Sequence, residues 1–345
     1  MAKIMENYKS LFLFLLLIYT AVSCIHNPEQ LNKNDSVVFL SNRESPKGEF
    51  DIFTMKIDGT YQTNLTNEIG SIRSISNPLI SPDGKSVLYT SFNRGGRFLH
   101  ILDIAKKKDK YLVNVNLDNP SASFIENGTK ILYVKKIRGR KQIFIINTNG
   151  DNERNISSSS NDEYNPKFSN DNKRLVFVRS VNKILSIVTR GLNSNDENSF
   201  ELKGNRINPA FANNNDIIYE SFVDDSYKIY MFDHESKQHT LLPTGNSNAY
   251  YPKPALNNEY IIFLSDARGM KYKDVCLLNL KTKKYKILTN RLNTINQNTS
   301  LSSDGKKVVF ESIKYNDSEI YLLDLNDNKL LNLTNNLAWD CQPSF

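Results

Sequence analysis

The sequence predicts an all-β chain: a seven-bladed β-propeller of four-stranded antiparallel blades, with the first blade closed by the C-terminal strand. Three observations carry that expectation. A short apolar strand ending in an aromatic ring occurs seven times, as Val37-Val38-Phe39, Val87-Leu88-Tyr89, Ile131-Leu132-Tyr133, Leu175-Val176-Phe177, Ile217-Ile218-Tyr219, Ile261-Ile262-Phe263 and Val308-Val309-Phe310. The rings lie 50, 44, 44, 42, 44 and 47 residues apart, and a period of about 40–50 residues built from short strands marks a propeller. The ends are complementary: the first unit, from about Ser36, lacks an opening strand, while the chain stops at Gln342-Pro343-Ser344-Phe345, an opening strand with nothing after it.

Each unit reads as four strands. The first opens on Asn-Pro or a relative: Asn77-Pro78, Asn119-Pro120, Asn165-Pro166, Asn208-Pro209, Tyr251-Pro252, Asn298-Thr299 and Gln342-Pro343. Proline has no N–H to give to a ladder and suits the start of a strand. A tight turn follows, clearest at Ser81-Pro82-Asp83-Gly84-Lys85 and Ser303-Asp304-Gly305-Lys306, built from residues that tolerate positive φ. The aromatic phrase is the second strand. The third follows a variable loop, as at Ile143-Phe144-Ile145 and Ile320-Tyr321-Leu322. The fourth is weaker and more polar, as at Asn64-Leu65-Thr66, Ile287-Leu288-Thr289 and Asn332-Leu333-Thr334, as suits an exposed blade edge. The Asn-x-Thr pattern of Asn64-Leu65-Thr66 and Asn332-Leu333-Thr334 reads as part of an Asn-rich composition.

The run Ser81-Pro82-Asp83-Gly84-Lys85-Ser86-Val87-Leu88-Tyr89-Thr90-Ser91 resembles the TolB-like WD-type propeller repeat, as does the stretch from Ser303 to Asp324 with Leu333-Thr334-Asn335 and Trp339-Asp340 behind it. The resemblance covers nearly all of the chain after its leader and implies the fold more strongly than a function. TolB itself carries a further N-terminal domain ahead of a six-bladed ring, for which this sequence has no counterpart. The same repeat occurs in propellers of prolyl-oligopeptidase relatives and of oligogalacturonate lyases.

Residues 1–23 read as a signal peptide: Lys3 and Lys9 precede an apolar run from Leu11 to Val22, too short to span a bilayer as a helix and suited to a secretory h-region. Ala21-Val22-Ser23-Cys24 resembles a bacterial lipobox, which implies lipidation at Cys24. Residues 24–35 are then a lipidated tether and 36–345 the propeller. The expected location is the bacterial cell envelope, lipid-anchored, at the outer membrane or the periplasmic face. Cys276 and Cys341 read as unpaired, Cys276 as a small buried hydrophobe.

Chemistry is sparse. His26, His100, His234 and His239 show no metal-ligand spacing, so no metal and no cofactor are expected. No G-x-S-x-G nucleophile turn occurs. The adjacent acids Asp162/Glu163 and Asp224/Asp225 read as solvated loop residues. The remaining signal is basic charge, a formal +7 overall, on loops that share one face. The loops between second and third strands carry Arg43 and Lys47, Arg94 and Arg97, Arg138 and Arg140, and Arg268. Those from fourth to first strands add Tyr164, Tyr250, Tyr251, Trp339 and Asp340. Arginine beside Tyr or Trp is the composition of binding hot spots. The expectation is therefore a non-enzymatic envelope propeller that binds a protein or peptidoglycan-associated component, acidic in character, and no nucleic acid. The alternative is a carbohydrate-binding or lyase-like propeller using the central channel.

Overall fold

The second strands are apolar on both faces because each is covered on both sides. Along Ser36–Ser41, Val37 and Phe39 pack into one cluster while Val38 and Leu40 pack into another. The first cluster joins Phe53 and Met55 to Val309, Ile320, Leu322 and Phe345; the second joins Ile52 and Leu65 to Ile80, Val87, Tyr89 and Leu102. The same alternation recurs through seven clusters, one between each pair of neighbouring blades. Period-two side-chain geometry thus turns a continuous apolar run into two buried faces.

The computed structural model describes residues 35–345 apart from 46–47, 68, 70–73, 94, 118, 158, 193–195, 203–204 and 213–214. The residues read as a signal peptide (1–23), Cys24 and nearly all of those read as a tether (24–35), together with Lys47 and Arg94, lie outside the described residues. Those described form seven four-stranded antiparallel sheets. In the first, the inner strand is Asp340–Ser344, paired with Ser36–Ser41, then Asp51–Lys56 and Thr63–Asn64. The C-terminal clasp read from the sequence is therefore present, and Phe345 seats in the cluster between blades 7 and 1. Blades 2 to 7 have inner strands Ile75–Ile80, Ser123–Ile125, Asp162–Phe168, Asn205–Phe211, Ala249–Ala255 and Ile295–Leu301.

The Asn-Pro phrase turns out to mark a bulge. Register shifts interrupt the inner-strand pairing at Ser76/Leu79, Tyr164/Lys167, Asn205/Asn208, Tyr250/Lys253 and Gln297/Ser300, and in blade 1 opposite Val38/Leu40. Asn77, Asn165, Tyr251, Asn298 and Gln342 sit there with φ near +50°, a conformation asparagine adopts more readily than most residues. Blade 3 corrects the sequence reading. Ser121 (φ 49) takes the bulge position, two residues before Ser123 pairs with Leu132, so Asn119-Pro120 lies ahead of it.

The turns between first and second strands are held by a repeated pair. The Ser81 hydroxyl donates to Asp83 (2.6 Å) and accepts from the Ser86 N–H (2.9 Å); Ser302 does the same with Asp304 and Lys307, and Ser169 with Asp171 and Arg174. The serine is thus Ser302, one residue before the one read from the sequence. At Gly305 (φ +66) a Cβ would come within 2.9 Å of the Leu256 nitrogen, so the neighbouring blade requires glycine as much as the turn does.

Candidate functional site

The loop rim carries the arginines expected there, but much of its charge is spent inside the protein. Arg43 grips the fully buried Asp340 with two bonds of 2.9 Å and lies over the Phe53 ring. Asp340 also accepts from Asn336 (2.7 Å). Arg268 makes the matching fork to the buried Asp274 (2.7 and 2.9 Å) and bonds Asn293. Arg97 covers the Phe92 ring at 4.7 Å. Tyr164 belongs to the clusters on both sides of blade 4. Trp339 packs on the cluster between blades 1 and 2, and its backbone N–H donates to Asn42. Tyr250 is half-buried and donates to Asp266; burial, then that carboxylate, pushes its phenol up to about 12. Arg138 and Arg140 stand exposed at the tip of the blade 3 hairpin, and Tyr251 is also exposed. The loop face that carries the two arginines also exposes Phe92, Ile137, Met270, Tyr315 and Leu337, spread over several blades.

Two features the sequence reading passed over are structural. Glu163 lies in a strand, fully buried, bonded by Arg179 (2.9 Å) and Ser159 (2.8 Å), so the Asp162/Glu163 pair is not a solvated loop. Asp224 and Asp225 do form a hairpin tip, both at positive φ. The threonines of these fourth-strand phrases are fasteners: Thr66, Thr289 and Thr334 accept a third-strand N–H, from Ile52, Val275 and Ile320 (2.9–3.0 Å), and donate to the acids Asp51, Asp274 and Glu319. The preceding Asn64 and Asn332 cap the same turn through backbone N–H groups. A recurrence of acid, then Thr fifteen residues later, was the available signal.

His100 and His239 each tie strands within one blade. His100 stacks on Tyr89 and bridges Ser91 (2.9 Å) and Asp109 (2.9 Å), with Tyr89 donating to the same carboxylate. Ser, His and Asp thus stand in an acyl-transfer order. Ser91 is only 4 % exposed, which leaves a substrate carbonyl no approach to its Oγ, and the relay serves to satisfy buried polar atoms. Tyr219 and His239 meet at 2.7 Å in blade 5, and burial lowers the His239 pKa. Cys276 and Cys341 are free and buried, their thiols pushed up by burial. Among the described residues no three His, Cys, Asp or Glu side chains gather to hold a metal ion.

The inner strands build the central channel in layers. Asn77, Ser121, Asn165, Asn208, Tyr251, Asn298 and Gln342 form one, linked from blade to blade. Ser121 donates to Asn165 (3.2 Å), Asn165 to Asn208 (2.8 Å), and the Asn77 N–H to Gln342 (2.7 Å). Two buried acids tie further joints. Glu220 accepts from Asn208 and from the Tyr251 N–H, and Glu311 from Asn298 and the Gln342 N–H. Burial raises the Glu220 pKa. The positions paired with Leu88 and its counterparts form the next layer: Leu79, Ser123, Lys167, Ala210, Lys253, Ser300 and Ser344. A cavity of about 420 Å³ opens on both layers across blades 2 to 6. A second, of about 360 Å³, runs toward the Ser302–Gly305 turn, and Lys167 lines both.

Comparison with known proteins agrees with this architecture. TolB from Acinetobacter baumannii superposes over 95 % of this chain and 69 % of its own, with a TM-score of 0.57 and 15 % identity. The putative TolB from Agrobacterium tumefaciens covers 82 % of this chain and 99 % of its own (TM-score 0.56, 16 % identity). An oligogalacturonate lyase in complex with manganese covers 88 % and 86 % (TM-score 0.64, 11 % identity). At such identities the likeness is one of fold. No curated protein matches the sequence. Residues 73–253, just over half of the chain, match the family described as the TolB beta propeller domain, and with seven such blades the chain belongs to that family.

Proposed function

We propose that this protein is a non-enzymatic, lipid-anchored propeller of the bacterial cell envelope that binds a protein partner, acidic in character, through its loop face. One observation carries the reading. Arg138 and Arg140 project from the blade 3 hairpin into solvent, on a face that also exposes Ile137, Phe92, Met270, Tyr315 and Leu337. Cations beside Ile137 and, on the neighbouring blade, Phe92 offer a surface that an acidic, partly apolar partner covers with gain. Arg43, Arg268 and Asp340 support this face from beneath by fixing its loops. The tether 24–35, with lipid on Cys24, holds the ring near a membrane.

Crosslinking in cells, followed by capture of the full-length protein, tests the face. A partner recovered with the wild type and lost with Arg138→Glu/Arg140→Glu, at unchanged melting temperature, is the expected result; equal recovery removes this site. Cys24→Ser is expected to release the protein from membranes, and continued membrane association would defeat the anchor.

A further inference from the structure

The central channel presents a second feature that the loop face does not explain. In the layer of Leu79, Ser123, Lys167, Ala210, Lys253, Ser300 and Ser344, five of the seven positions are small or neutral and two are lysines. The lysines stand on the inner strands of blades 4 and 6, on either side of Ala210, which is too short to fill the space between them. Both line the 420 Å³ cavity, whose wall contains no Asp or Glu. Its other polar groups are neutral, chiefly Asn77, Asn165, Asn208, Thr90 and Ser121. The Lys253 ammonium donates to the Thr299 carbonyl, while Lys167 is exposed to the channel.

The acids nearby are all occupied. Glu220 and Glu311 are buried behind the asparagine layer and bonded there. Asp304, in the second cavity, accepts from Ser302 and from the Lys306 N–H.

We propose that the channel is a binding site for a small ligand bearing an oxyanion, a carboxylate or a phosphate, held between Lys167 and Lys253. Two like charges converging on one cavity repel each other, and an anion between them removes that cost. A cavity of this size admits a small molecule. The neutral amides and hydroxyls of the layer above supply the hydrogen bonds that orient such a ligand. Burial first, and Lys167 second, push the Lys253 pKa down to about 8, and enclosure by the surrounding channel walls lowers that of Lys167 although its side chain still meets channel solvent. This is the response of a cation held without its counter-charge.

The test is calorimetric titration and thermal shift of the intact propeller at low ionic strength, with inorganic phosphate and citrate as separate probes and sodium chloride as the ionic control. At least one probe is expected to bind and to raise the melting temperature by mass action at about 10 mM. The stronger of the two identifies the ligand's head group. Lys167→Gln and Lys253→Gln are each expected to weaken binding by about tenfold, with Lys167→Met as a second variant should the amide disturb the layer. Arg138→Glu/Arg140→Glu is expected to bind the same anion unchanged, which separates the channel from the basic rim. Binding is expected to weaken as pH rises past about 8, where Lys253 loses its proton. No binding of either probe to the wild type, or binding equal in the lysine variants, overturns the proposal. Loss of binding in the rim variant would also overturn it, by moving the anion to the loop face.

Discussion

On the loop rim, Arg43 and Arg268 turn back onto Asp340 and Asp274, carboxylates with 0 and 1 % exposure. In the channel, Lys167 and Lys253 stand in a cavity wall that offers no carboxylate. Both regions are cationic in sequence, and the fold treats them oppositely. On the rim Arg43 and Arg268 are consumed in fixing loops, and Arg138 and Arg140 remain projecting. In the channel the charge is confined and unneutralised. A count of basic residues therefore points toward the rim, whereas the electrostatically unfinished site lies on the axis.

The comparison can be broken most severely at the strand that serves both regions. Asp340–Ser344 carries the rim anchor Asp340 and the channel residues Gln342 and Ser344. Removing residues 340–345 strips blade 1 of its inner strand and the neighbouring cluster of Phe345. The expected outcome is loss of a cooperative melt, followed by circular dichroism. Next in size is Arg43→Met, which leaves a buried carboxylate without its partner. A loss of about 3 kcal/mol is expected in chemical denaturation, and a loss below about 1 kcal/mol would show that the ion pair is loosely held.

The channel shows itself in pH. Lys253 holds its proton less tightly when folded than when unfolded, so between about pH 8 and the ordinary lysine value unfolding takes up protons. Stability then rises with pH across that window. Lys253→Met is expected to flatten the rise, by about 1–2 kcal/mol once channel water is allowed for. Thr289→Val removes the fastener to Asp274 and to the Val275 N–H, at an expected cost of about 1–2 kcal/mol in the same assay. The smallest effect belongs to the free rim: Arg138→Glu/Arg140→Glu is expected to leave stability within about 0.5 kcal/mol, while changing partner binding.

The blades were legible because their signal is local. The second strand repeats an apolar run and a ring, and the closing strand is visible as a lone Gln342-Pro343 phrase. The polar fasteners were less so. Glu163 beside Asp162 looks like any acidic loop until Arg179 is paired opposite it, and Asn119-Pro120 looks like its relatives until Ser123 pairs with Leu132. The channel lysines had a faint local mark, each following a strand-opening proline in Asn165-Pro166-Lys167 and Tyr251-Pro252-Lys253. An inner strand read as scaffold gives that mark no meaning.

The sequence by itself determined the number of blades and their four-strand plan, which rest on periodicity and strand chemistry within about fifty residues, and the clasp, which shows as a lone opening phrase at Gln342-Pro343. Only the tertiary structure decided which charges are spent and which are free. Arg43 meets Asp340 across 297 positions of sequence, and Lys167 and Lys253 line one cavity only because inner strands from separate blades share one channel. Electrostatic energy depends on distance and burial in space, and ring closure is what sets both.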